Sequence, residues 1–240
     1  MLIDYLKKTD DRALTKWQHY FQIYEREMGR FLRDPISFLE IGIWKGGSIP
    51  MWKDYLPDGS KLTFVDIDPA CKSHEIDGTN IRIGNQADPK FLAELAKEFG
   101  PFDLVLDDGS HVCAHQIASF EGLWPHLNNG GLYMVEDCHT SYWPGFGGGY
   151  RNEASFVEYA KRLVDTMHSW YTDQDTLFPF QEVAKELNSV RFYDSIVAIE
   201  KLQQKDPPTS LISANGEVKA SRKALEVRGR VSVFAGKDGT

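Results

Sequence analysis

The feature that most restricts this chain is a repeated pattern. Short apolar runs each end in glycine or acid, and stretches with helical spacing separate them. Ile36–Ile41 runs into Gly42, Leu62–Ile67 into Asp68, and Phe102–Leu106 into Asp107-Asp108-Gly109. Ile81–Ile83 is a further short run, and Leu132–Val135, introduced by Gly130-Gly131, ends in Glu136-Asp137. Between them, Ser48–Leu56 carries Pro50 in a first helical turn and is stopped by Pro57. Asp88-Pro89 opens a helix with Phe91, Leu92, Leu95 and Phe99 on its inner face and Gly100 as its stop. Helices over His111–Trp124 and Glu153–Trp170 and a β segment over Val190–Glu200 complete the series. Repeated β-α-β units predict an α/β fold: a doubly wound, mainly parallel sheet with helices on both faces. Such sheets bind ligands beyond the carboxyl ends of their strands, so the chemistry at each strand end matters most.

Upstream, Leu14, Trp17, Phe21, Tyr24, Met28 and Phe31 recur three or four residues apart. This predicts one helix over Asp11–Leu32 with Arg12, Lys16, Glu25 and Arg26 on its wet face, ended by Asp34-Pro35. The expected organisation is an N-terminal helical segment (1–34), the α/β domain (35–205) and a peripheral C-terminal tail (206–240) with one β-like run, Val231–Phe234. A length of 240 residues, 42% hydrophobic, suits a single such domain. The net charge of −8 argues against a broad phosphate-binding surface, so a nucleic acid is not an expected partner. None of Cys71, Cys113 and Cys138 forms a Cys-x-x-Cys pair, which disfavours a disulfide framework or structural zinc and favours a reducing cytoplasm. No signal peptide or membrane span is visible, so no membrane partner is expected.

The first strand ends in Glu40-Ile41-Gly42-Ile43-Trp44-Lys45-Gly46-Gly47-Ser48. Glycines there permit a tight turn and close approach of a ligand to the backbone, and the helix start beyond offers unpaired N–H groups. By itself such a cluster also fits a simple turn. The second strand ends in Val65-Asp66, 26 residues after Glu40, where an acid can accept the hydroxyls of a ribose. A solvated Asp66 before an Asp68-Pro69 turn is the alternative.

Glu40 through Ser48, Val65-Asp66 and then Gly84–Asp88 resemble the successive cofactor motifs of class I methyltransferases. Trp44 and Lys45 depart from the dinucleotide fingerprint, which counts against NAD. The resemblance implies S-adenosylmethionine as cofactor. It assigns Gly42, Trp44 and Ser48 to the methionine end, with Glu40 opening the motif, Asp66 to ribose and Gln86 to adenine.

Strands four and five end in Asp107-Asp108-Gly109-Ser110-His111 and Glu136-Asp137-Cys138-His139. Adjacent parallel strands bring Asp108, Glu136 and Asp137 to one rim, a donor set suited to a hard divalent ion such as Mg²⁺. Helix capping and solvent exposure are the alternatives for either pair alone. His111, three residues past Asp108 at a helix start beside a cation, is expected to be a neutral general base. The glycine- and aromatic-rich Thr140–Arg151 either offers ring faces to a ligand or plugs the core edge.

With these motifs, roughly residues 15–200 are similar to metal-dependent O-methyltransferases that modify sugars of macrolides and related natural products, and to the cephalosporin-hydroxylase-like branch. The resemblance implies Mg²⁺ (or Mn²⁺) on Asp108, Glu136 and Asp137, His111 as base, and a small-molecule acceptor with a hydroxyl group. A homo-oligomer stays open. The rival readings are a methyltransferase of catechol-like phenols, an oxygenase-type activity, and a noncatalytic domain that binds S-adenosylmethionine beside a partner.

Overall fold

Five apolar runs become parallel strands of one sheet in the computed structural model, which describes residues 1–8, 12–172 and 176–224. They are β1 (Ser37–Ile41), β2 (Lys61–Asp66), β3 (Thr79–Ile83), β4 (Phe102–Asp107) and β5 (Leu127–Val135). The sheet order is β3-β2-β1-β4-β5-β7-β6. β6 (Leu187–Phe192) and β7 (Val197–Lys201) close it, with β7 antiparallel to both neighbours. The expected doubly wound, mainly parallel sheet is therefore present. The strand order reverses between β1 and β4, where chains leave the sheet in opposite directions and open a crevice.

Strand pleating decides what each face carries. Phe38, Leu104, Leu106, Leu132 and Met134 point to one face, which is covered by α1 (Tyr20–Met28) and α2 (Ser48–Tyr55). Leu39, Ile41, Val105, Tyr133 and Val135 point to the other, covered by α3 (Pro89–Phe99), α4 (Cys113–Leu123) and α5 (Phe156–His168). Both faces are fully buried, which explains why β1 and β4 read as continuous apolar runs rather than alternating ones. Two helix starts follow their sequence signals. Asp88 accepts from the Lys90 amide (2.9 Å) and Ser155 from the Glu158 amide (3.3 Å).

Three expectations are corrected. The N-terminal helix is confined to Tyr20–Met28 plus a 3-10 turn over Gly29–Phe31, and residues 13–17 are irregular; Asp11 lies outside the described residues. Lys16, placed on the wet face by helical spacing, is instead drawn inside by carboxylates, and Trp17 is exposed. The Val190–Glu200 β segment is a hairpin of two strands, turned at Ser195 with φ +65°. α4 starts at Cys113 rather than at His111. In the tail, Thr209–Ala214 and Glu217–Lys223 form an exposed two-stranded hairpin, while Val231–Phe234 lies outside the described residues. All three cysteines are buried free thiols, and among the described residues no helix is long and apolar enough to cross a membrane.

The crevice exists because Gly42 allows the end of β1 to lie against the end of β4. Its φ is +87°, and an added Cβ would sit 2.1 Å from the Asp108 carbonyl oxygen. Gly42→Ala is expected to destabilise the fold by about 2 kcal/mol or more, combining a left-handed backbone with a backbone clash. Gly145→Ala, with open space around the position, is the control and should be neutral. Urea titrations of the two variants check this.

Candidate active site

A cavity of about 500 Å³ opens at the crevice, within the range of roughly 300–1,000 Å³ typical of small-molecule sites. One wall is the glycine loop, Gly42–Trp44 with Ser48; another is Asp66–Asp68, Asn85 and Gln86. Asp108–His111 and Asp137 line it as well, and Ala13–Lys16 add a wall from the N-terminal segment. The close fit of this last wall depends on Gly47, where a Cβ would come within 2.4 Å of the Ala13 carbonyl oxygen.

Asp66 organises the loop. Its Oδ2 accepts from the Ile43 and Trp44 amides (3.0 and 3.1 Å), and its Oδ1 from the Asp68 amide (2.9 Å). Trp44 is thereby held at φ +45° with its indole exposed. Gln86 reaches the cavity edge but is committed to the protein: its Nε2 donates to Asp107 Oδ1 (3.0 Å), and its Oε1 accepts from the Ser110 amide (2.7 Å). Asp107 is buried on the α4 face, where burial pushes its pKa up to about 6 against the hydrogen bonds from Ser119, Gly109 and Gln86. Glu40, expected among the cofactor-binding residues, does not line the cavity. It is wholly buried on the opposite face, accepting from Ser48 Oγ (2.6 Å) and Trp52 Nε1 (3.0 Å), and burial pushes its pKa up to about 7.

Among the described residues, one ligand-type atom each from Asp108, His111 and Asp137 lies within 4.8 Å of the others. His111 and Asp137 are both left-handed, at φ +57° and +52°, which turns their side chains toward each other. His111 Nε2 is 3.5 Å from Asp137 Oδ2, and its Nδ1 is buried without a hydrogen-bond partner among the described residues. Two carboxylates that converge on the cavity, with the imidazole of His111 beside them, are a setting that fits a hard divalent ion.

The third expected ligand, Glu136, stands apart. Even-numbered strand ends point to the α1 face, so Glu136 faces inward with Glu40 and is 1% exposed. Its partners come from a part of the chain that sequence spacing did not connect to the site. The buried ammonium of Lys16 donates to Glu136 Oε2 (3.0 Å) and Asp108 Oδ2 (2.6 Å) and lies 3.7 Å from Glu40 Oε1. Tyr24 Oη donates to Glu136 Oε1 (2.5 Å), and Tyr20 Oη to Asp137 Oδ1 (2.6 Å). Lys16, Tyr20 and Tyr24 thus recur every four residues, and each engages a strand-end carboxylate. Burial pulls the pKa of Lys16 down, and Asp108, Glu136 and Glu40 more than reverse this, so it stays an ammonium. Burial and the nearby Asp108 push that of Glu136 up, and the Lys16 ammonium and the Tyr24 hydroxyl oppose the rise by holding its charged form.

The Thr140–Arg151 loop leaves Tyr142, Trp143 and Tyr150 exposed rather than plugging the core. Trp143 packs edge-on against His139 at 4.8 Å, and Trp17 approaches the same imidazole at 6.0 Å. His139 itself is tied to Ser195 Oγ through Nδ1 (2.5 Å).

Residues 39–138 match the family described as a methyltransferase domain. The chain is 36% identical over 197 residues to an 8-demethyl-8-alpha-L-rhamnosyl tetracenomycin-C 2'-O-methyltransferase of Streptomyces olivaceus, covering 78% of this chain and 51% of the relative. It is 35% identical to a demethylmacrocin O-methyltransferase of Streptomyces fradiae, covering 82% of this chain and 53% of the relative. Among solved structures, the MycE methyltransferase from the mycinamycin biosynthetic pathway, in complex with Mg and SAH, superposes with a TM-score of 0.73. That match has 31% identity and covers 79% of this chain and 50% of the other. The chain spans about half the length of the curated relatives it matches. Residues 39–138 thus match the methyltransferase-domain family, on a fold shared with class I methyltransferases of solved structure.

Proposed function

We propose that this chain is a Mg²⁺-dependent (or Mn²⁺-dependent) S-adenosylmethionine O-methyltransferase acting on a hydroxyl of a small molecule, a sugar of a glycosylated natural product. The observation that carries the reading is the convergence of Asp108, His111 and Asp137 on the same cavity that the glycine loop and Asp66 line. The rhamnosyl tetracenomycin-C relative, by its name an O-methyltransferase of a sugar-bearing compound, supports the acceptor class. When bound, S-adenosylmethionine supplies an electrophilic methyl group and the ion lowers the pKa of the acceptor hydroxyl.

The rest falls to side chains. Asp66 fixes the glycine loop through two amides and offers its carboxylate to the ribose hydroxyls. Asp108 and Asp137 would hold the ion, with Glu136 as the third carboxylate. Tyr20, by donating to Asp137, aims that carboxylate. His111 accepts the acceptor proton at Nε2, the ring atom facing Asp137, because Nδ1 is enclosed. Holding the reacting groups at fixed distance and angle supplies most of the acceleration.

Calorimetry should give S-adenosylhomocysteine a micromolar Kd, on the order of −8 kcal/mol. Asp66→Ala should weaken it strongly, and tighter binding of NADH would end this reading. Turnover should stop with EDTA and return with Mg²⁺ or Mn²⁺; Asp108→Ala should lose that response while keeping S-adenosylhomocysteine affinity. Full activity after exhaustive chelation would remove the ion from the mechanism. His111→Ala should lower kcat by roughly 10²–10⁴-fold with unchanged S-adenosylhomocysteine and Mn²⁺ affinity. Loss of Mn²⁺ binding in that variant would make His111 a ligand, and loss of turnover in His139→Ala instead would move the base to His139.

A further inference from the structure

The ammonium of Lys16 occupies the place a divalent ion would need in order to use Glu136. Both oxygens of that carboxylate are already taken, Oε1 by Tyr24 and Oε2 by Lys16, and Lys16 also holds Asp108 Oδ2. Side-chain exposure is 3% for Lys16 and 1% for Glu136, so water does not compete for either. Asp137 and His111, by contrast, face the cavity. Two cations cannot share one pair of carboxylate oxygens in a dry pocket without strong repulsion.

We propose that Lys16 is a resident counter-cation for Glu136, and that a divalent ion recruits Glu136 only by displacing it. Lys16 is then a positioning residue: it keeps Asp108 and Glu136 drawn together and charge-compensated before the ion arrives. Its place in the 13–16 wall gives the exchange a second consequence. A lysine that withdraws from the carboxylates shifts a wall of the cavity, so ion binding and the shape of the proposed nucleotide pocket are linked through one side chain.

The inference rests on the metal-dependent reading above and is tested by Mn²⁺ binding alone, followed by electron paramagnetic resonance of the free ion. Lys16→Met removes the competitor, and Lys16→Gln removes its charge while keeping two N–H donors for the buried carboxylates. Mn²⁺ should bind both variants about tenfold tighter or more, the order expected when a neighbouring unit charge is lost. Glu136→Gln added to Lys16→Met should cancel the gain, because the vacated ligand is then gone. Unchanged or weaker Mn²⁺ affinity in the folded Lys16→Gln variant would overturn the proposal, as would a gain that persists in the double variant. A wild-type protein that binds no Mn²⁺ would instead sink the metal-dependent function itself.

Discussion

A lysine ammonium enclosed by carboxylates from three strands is the interaction on which this site depends. Glu40, Asp108 and Glu136 stand at or beyond the ends of β1, β4 and β5, and strand pleating directs them to the same face. Without compensation, three acids this close, two of them buried, would repel one another and favour their neutral forms. Lys16 supplies the charge, while Ser48 and Trp52 donate to the two oxygens of Glu40 and Tyr24 donates to the second oxygen of Glu136. The N-terminal segment therefore has two roles. It covers the apolar face of the sheet through Tyr20, Phe21, Tyr24 and Met28, and it completes the electrostatics of the site.

Backbone strain gathers at the same place. Trp44, His111 and Asp137 all adopt left-handed backbone conformations, which cost non-glycine residues about 1–3 kcal/mol each. Each is restrained by neighbours: Trp44 by Asp66 through its amide, His111 by Thr140 Oγ1 on its carbonyl (2.9 Å), and Asp137 by Tyr20. The strain is maintained by contacts from separate elements, so the geometry of the cavity is set by the whole sheet rather than by any loop alone.

Much of this was legible in the sequence because two periodicities carry it. The parallel strands were readable as apolar runs, since burial on both faces removes alternation, and the crevice followed from β-α-β order. Glycine at 42 and acid at 66 were readable as a loop and its anchor. The placement of Glu136 was not, because neighbouring acids at a strand end take opposite faces and only the strand's register says which. Nor was Lys16: helical spacing assigns it to water, and the pull of carboxylates 92 and 120 residues away has no local signature. The left-handed conformation of His111 comes with a hydrogen bond from Thr140, 29 residues away, and α4 starts only at Cys113, neither of which has a local signal.

The hairpin formed by Thr209–Ala214 and Glu217–Lys223 differs from everything above. Its residues are exposed on both strands, and it pairs with neither edge of the seven-stranded sheet. A two-stranded ribbon without a packed face has little stability of its own. Its amides should trade hydrogen for deuterium through local opening, far sooner than those of β1, β4 and β5, which need the core to come apart. Substitutions there can accumulate without reaching the cavity, leaving this arm free to diverge while the strand ends stay fixed.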